Sequence, residues 1–259
     1  VKRSQETVII NESNLSVAWG RAVIEVLDRS GTEMAPFLLS LVRPEQIRED
    51  FEVGAIRAAL DQHLARRGMY DVDTVAWTIF PEELWQRSRS DRSLLFERYR
   101  DVYPRYKALN PALNSRGLYF GRLIDFGSGP CDGNQLEWII SNFKRRRSVR
   151  RSMLQASVFD PAKDHVRQAQ LGFPCLQQVQ FVPADGSLSI NAFYATQQLF
   201  DKAYGNWLGL WNLGEFMGSQ MGLELAQLNC FVGVEKLERV GKRELGPLAD
   251  VIREVLRER

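Results

Sequence analysis

Apolar positions recur along this chain with two periods, and the elements change where the period changes. Leu15, Ala18, Trp19, Ala22, Val23 and Val26 share one face at helical spacing, so a helix is expected over residues 13–28. It stops at the turn Arg29-Ser30-Gly31-Thr32. Residues 36–42 read as a strand, and residues 51–67 as a second helix ended by Gly68. Residues 75–80 look like a short buried strand, with a helix opening at 81–85. The stretch 87–105, rich in charge and tyrosine, reads as a solvated helix, and 110–117 as a loop. A further amphipathic helix is expected at 135–143, running into basic residues. Residues 153–158 are strand-like, and a polar loop over 160–170 leads to Phe173-Pro174-Cys175.

The segment after Cys175 is the most legible. Two β-prone runs, 179–182 and 188–194, flank Pro183-Ala184-Asp185-Gly186-Ser187, which signals a hairpin. Residues 206–228 then read as one long helix, apolar nearly all round through Trp207, Leu208, Leu210, Trp211, Leu213, Phe216, Met217 and Met221. Such a helix belongs in the middle of a domain. An amphipathic helix at 245–256 closes the chain. With no repeat, low-complexity tract or linker, residues 1–259 are expected to form a single domain.

Composition narrows the class without naming a function. Hydrophobic residues make up 44% and charged residues 25%, ordinary for a globular protein able to bury a substantial core. A formal charge of +2 is too small to argue for nucleic acid. No apolar run approaches the roughly 20 residues that span a bilayer, and the N-terminus lacks the pattern of a secretory signal. Cys131, Cys175 and Cys230 are odd in number and lack metal spacing, as do His63 and His165. A reduced, cytoplasmic protein is the expectation. Lys144, Arg145, Arg146, Arg147, Arg150 and Arg151 put six basic residues into eight positions. They suit a solvated helix end, a phosphate site or a nucleic-acid patch.

The stretch PCLQQVQFVPADGSLSINAFYATQQLF, residues 174–200, resembles the nucleophile strand and hairpin of the thymidylate synthase superfamily, PCH…QF…DG.LS…QRS.D. It aligns without a gap from Cys175 to Asn206. The resemblance implies an α+β fold, a thymidylate-synthase-like mixed β-sheet flanked by helices. It places Cys175 on the catalytic cysteine, Thr196 on the serine of QRS, and Asn206 on the asparagine that reads the pyrimidine's amide edge. Asn206 is equally suited to cap the long helix. Arg150-Arg151 matches the arginine pair that crosses a homodimer interface to the partner's nucleotide phosphate. Asp28-Arg29-Ser30-Gly31-Thr32 resembles the DRTGT turn, whose arginine also holds phosphate, and Leu118 to Arg122 echoes a VYG segment.

The departures carry information too. The arginine beside that serine falls on Ala195, the histidine after the cysteine on Leu176, and the aspartate of the RSxD run on Gln198. The late histidine and tyrosine that hold the sugar hydroxyl fall near Lys236 and Glu238. Asp61, Glu82 and Glu83 stay open for the family's catalytic glutamate. A thiolate adding to C6 needs a lowered pKa and a neighbouring cation; with Ala195 in the key place, Arg29, Arg150 or Arg151 must supply it. The implied function is one-carbon transfer to C5 of a pyrimidine nucleotide through a cysteine adduct, on a non-standard substrate. The implied donor is 5,10-methylenetetrahydrofolate or a substitute, since the folate-sealing tail has no counterpart before Arg259. The alternative is a nucleotide-binding or scaffold protein that kept the pocket without turnover, and nucleic-acid binding is a third reading.

Overall fold

Alternating apolar residues on four long strands build the centre of this protein, and the computed structural model describes it over residues 6–43, 50–114, 117–146, 148–167 and 173–259. Residues 115–116 of the expected loop, Arg147 and residues 168–170 of the polar loop lie outside the described residues. The chain opens with β1 (Val8–Glu12), α1 (Leu15–Asp28), β2 (Glu33–Met34) and β3 (Phe37–Val42). A helical stretch follows: α2 (Gly54–Arg66), α3 (Val72–Trp77), α4 (Glu82–Arg87), α5 (Arg92–Leu109), α6 (Pro111–Asn114), α7 (Tyr119–Ile124) and α8 (Gln135–Arg145). Then come β4 (Gln155–Ser157), α9 (Pro161–Asp164), β5 (Leu176–Ala184), β6 (Ser187–Gln198), α10 (Tyr204–Met221), β7 (Glu224–Lys236) and α11 (Gly246–Glu258).

The sheet order is β1-β3-β7-β6-β5-β4, with β2 against the far end of β7. β1 and β3 are parallel, as are β6 and β7; the other neighbouring pairs are antiparallel. The mixed sheet with helices is the architecture expected from the residues after Cys175. Asp185 and Gly186, both at positive φ (49° and 79°), make the tight β5–β6 turn. Leu188, Ile190 and Tyr194 of β6 and Leu228 and Val232 of β7 are buried on one face, against α10. The opposite face has no buried residue; Phe193 and Phe231 stack there with ring centroids 5.6 Å apart, each 42% exposed. Among the described residues no helix is long and apolar enough to cross a membrane.

Two expectations are corrected. The long helix does not run to residue 228: Gly222, at φ 74°, ends α10, and its amide bonds back to Gly218 and Ser219. A left-handed glycine is a common helix stop. The chain then turns into β7, whose leucines had read as more helix. Residues 75–80 do not form a strand. Asp71 caps a short helix there by accepting from the Thr74 amide at 2.7 Å, and Val72, Val75 and Ala76 of that helix are buried, facing α10. β1 pairs all five of its residues with β3.

Candidate functional site

Cys175 stands one residue before β5, where the strand is already tied to its neighbour. Its carbonyl accepts from the Ala195 amide at 3.0 Å. Its Sγ lies 3.6 Å from the Thr196 Oγ1, so the gapless match places two partners in contact. Tyr119, in the segment that echoes VYG and the first residue of α7, also reaches this strand end. Its hydroxyl takes backbone hydrogen bonds from Cys175 and Leu176, and burial holds its pKa well above the ordinary phenol range. One turn on, Arg122 (8% exposed) grips the fully buried Asp164 of α9 through two bonds of 2.7 Å, and donates to the Val158 carbonyl at 2.8 Å. That fork fixes α7 against the strand end leading to Cys175.

The field around the thiol opposes ionisation. Burial pushes the Cys175 thiol up; the Thr196 hydroxyl works against this, while Glu238 and Glu235 add to it and Lys236 partly offsets them. Glu235 lies opposite Gln197 on the parallel β6–β7 pair. It is 0% exposed, and neither carboxyl oxygen has a hydrogen-bond partner. The nearby Tyr194 hydroxyl and Gln197 Nε2 are also buried and unpaired, while Gln197 Oε1 accepts from the Trp207 Nε1 at 3.0 Å. Burial drives the Glu235 pKa up and so favours its protonated form in the folded protein.

A pH dependence follows. Unfolded, Glu235 releases its proton above about pH 4.3, whereas the folded protein keeps it. Stability therefore falls as pH rises from that point until the folded carboxyl ionises, by up to about 1.4 kcal/mol per pH unit. Chemical denaturation between about pH 5 and 8 is expected to show a shallower decline for Glu235→Gln than for the wild type. Parallel curves would refute the neutral buried carboxyl.

The phosphate candidates separate in space. Arg29 follows α1; it bonds Glu25 at 2.5 Å and the Glu33 carbonyl at 3.3 Å, and its Nε is buried and unpaired. Glu33 lies opposite Lys236, and Lys236 opposite Gln198, so Arg29 stands at the Cys175 end of the sheet. Arg150 and Arg151 do not. Both are exposed, and they precede Leu154, whose carbonyl accepts from the Phe181 amide at 2.8 Å. From Phe181 back to Cys175 is six residues, about 20 Å of strand. The pair thus leads into the end of the β4–β5 ladder away from its own chain's cysteine.

Asn206 is the third residue of α10 and is 5% exposed. Ala203 occupies the N-cap, so Asn206 does not cap the helix; among the described residues its amide forms no hydrogen bond. Of the three acids left open, Asp61 pairs with Arg57 at 2.7 Å, and Glu83 is exposed beside Arg87. Glu82 is half-buried with a raised pKa, from burial and the neighbouring Glu215.

No family model matches the chain. It is similar to a protein of Methanocaldococcus jannaschii named "Putative thymidylate synthase", 28% identical over 107 residues, which are 40% of this chain and 47% of that protein. The match spans about half of that relative's length. It supports a thymidylate-synthase-like relationship.

Proposed function

We propose that the protein transfers a one-carbon unit to C5 of a pyrimidine nucleotide, using Cys175 as nucleophile in a homodimer. The S–C6 bond forms as the C5=C6 electron pair shifts toward C5 and the C4 carbonyl. The thiol proton leaves to solvent, the C5 hydrogen becomes exchangeable, and elimination restores the thiol. Thr196 and Tyr119 position the sulfur, Asn206 faces the base, and Arg29 takes phosphate from the same chain.

The observation that carries this reading is the place of Arg150 and Arg151. They stand at the wrong end of the β4–β5 pair to serve their own Cys175, so a role in phosphate binding requires a second copy. The open sheet face, with Phe193 and Phe231 at its centre, is the surface on which that copy would stack. Arginines from a second copy would also favour the thiolate against burial and the Glu238 carboxylate.

A folate donor is implied by the resemblance. Two cavities among the helices, along α4–α5 and between α5, α7 and α9, are lined by neither Cys175 nor Asn206. Hydrogen exchange needs no donor; the transfer itself needs a one-carbon donor, whose carbon bonds to C5 as the C5 proton is lost, before elimination of the thiolate restores C5=C6.

Subunit mixing tests the reading. Cys175→Ala and Arg150→Ala/Arg151→Ala homodimers are each expected to be inactive in exchanging the C5 hydrogen of a bound nucleotide. Their mixture is expected to recover roughly a quarter of wild-type activity, because half the dimers are mixed and hold one intact site. No recovery in demonstrably mixed dimers would overturn action across the interface. A second reading, nucleotide binding without turnover, draws on the raised Cys175 pKa and predicts binding with no exchange at all.

A further inference from the structure

The helix layer holds a second candidate site. A cavity of about 450 Å³ lies between α5, α7 and α9, lined among others by Tyr99, Arg100, Tyr103, Lys107, Arg122 and Lys163. Its floor is buried: Tyr99 is 1% exposed and Arg122 8%. Its rim is exposed, with Arg100 and Lys107 on α5 and Lys163 on α9.

The lining has more hydrogen-bond donors than acceptors. The Tyr99 hydroxyl is buried; its oxygen takes a backbone hydrogen bond from Gly121, but its own O–H finds no acceptor among the described residues, which a native fold rarely tolerates without a reason. Arg122 is matched by Asp164, so it adds no net charge. Among the rim residues Asp125 is the opposing acid, and Lys163 shares its charge with Asp160 at 3.6 Å. Three cations against two carboxylates leave one net positive charge. An orphaned donor at the floor and surplus cations at the rim both call for an anionic oxygen. The volume falls in the range of small-molecule sites and exceeds what a bare phosphate fills.

We propose that this cavity binds a small organic anion, a phosphate ester or a carboxylate, held by the rim cations and hydrogen-bonded by Tyr99. Its occupant bridges α5 to α7 and α9, and so also raises thermal stability by mass action. The inference is independent of the chemistry assigned to Cys175.

The test is titration of the full chain with phenyl phosphate, benzoate and inorganic phosphate, read by calorimetry and by thermal shift. Phenyl phosphate or benzoate is expected to bind saturably, with Kd at or below about 1 mM; the tighter of the two names the charged group. Arg100→Ala/Lys107→Ala is expected to weaken binding about tenfold, as loss of charge-assisted bonds does. Tyr99→Phe, which keeps the ring, should weaken it about fivefold. Arg105→Ala, on α5 outside the cavity, should leave it unchanged. Three results would overturn the site: no saturation by either organic probe below about 10 mM, inorganic phosphate binding as tightly as phenyl phosphate, or an affinity that Tyr99→Phe does not move.

Discussion

Release of tritium from C5-labelled uridine or cytidine nucleotides is expected from the wild-type protein and is expected to vanish in Cys175→Ala. The exchange needs only the C6 adduct, so it isolates the nucleophile from whatever supplies the one-carbon unit. Removing a nucleophile costs on the order of 10³-fold or more, whereas removing a positioning group such as the Thr196 hydroxyl should cost about tenfold to a hundredfold. Thr196→Val is thus an internal scale. The wild-type rate itself should rise with pH across the neutral range, because burial above all pushes the Cys175 thiol up. Equal release by wild type and Cys175→Ala would remove Cys175 from the mechanism. Absence of release from a nucleotide that binds would leave the binding-only reading standing.

How much of this was legible in the sequence depends on how local each signal is. The β5–β6 hairpin could be read because Asp185-Gly186 and the flanking alternation lie within a few residues of each other. The contact of Cys175 with Thr196 did not follow from the turn alone, because the strand register shifts between Leu176 and Gln178 and sets Cys175 opposite Ala195. The VYG-like segment marked Tyr119 but not its contact with Cys175, which joins residues 56 positions apart while Arg122 and Asp164 hold α7 in place. Glu235 was hidden for another reason. The apolar run from α10 continues into β7, so a helical reading swallowed the start of the strand and left its far end, with Glu235, without an assigned element. The position of Arg150 and Arg151 needed the pairing of β4 with β5, which motif matching does not supply.

The core of the fold makes the remaining large prediction. Gly205 and Gly209 lie one turn apart on α10 and let it settle directly on the backbone of α3. A Cβ on Gly209 would meet the Ala76 carbonyl oxygen at 2.6 Å and the Ile79 Cβ at 3.0 Å; one on Gly205 would meet the Val75 Cβ at 2.6 Å. Elsewhere, Gly→Ala in a helix interior gains up to about 1 kcal/mol. Here the obstacle is a backbone carbonyl, which cannot rotate aside, so the sign reverses. Gly209→Ala is expected to destabilise by about 1–3 kcal/mol, and Gly209→Val by more, as overpacking in a filled core does. Gly246→Ala is the control, since a Cβ there meets nothing within 4 Å; it should be neutral or slightly stabilising. Denaturant midpoints at constant m-value are the measurement. Because Asn206 lies between the two glycines, displacing α10 from α3 also moves this buried amide, to which the proposed function assigns the base. Nucleotide affinity should therefore fall in Gly209→Ala even where the protein remains folded. A Gly209→Ala variant as stable as the wild type would show that α10 and α3 do not meet as closely as described, and would loosen the placement of Asn206 with them.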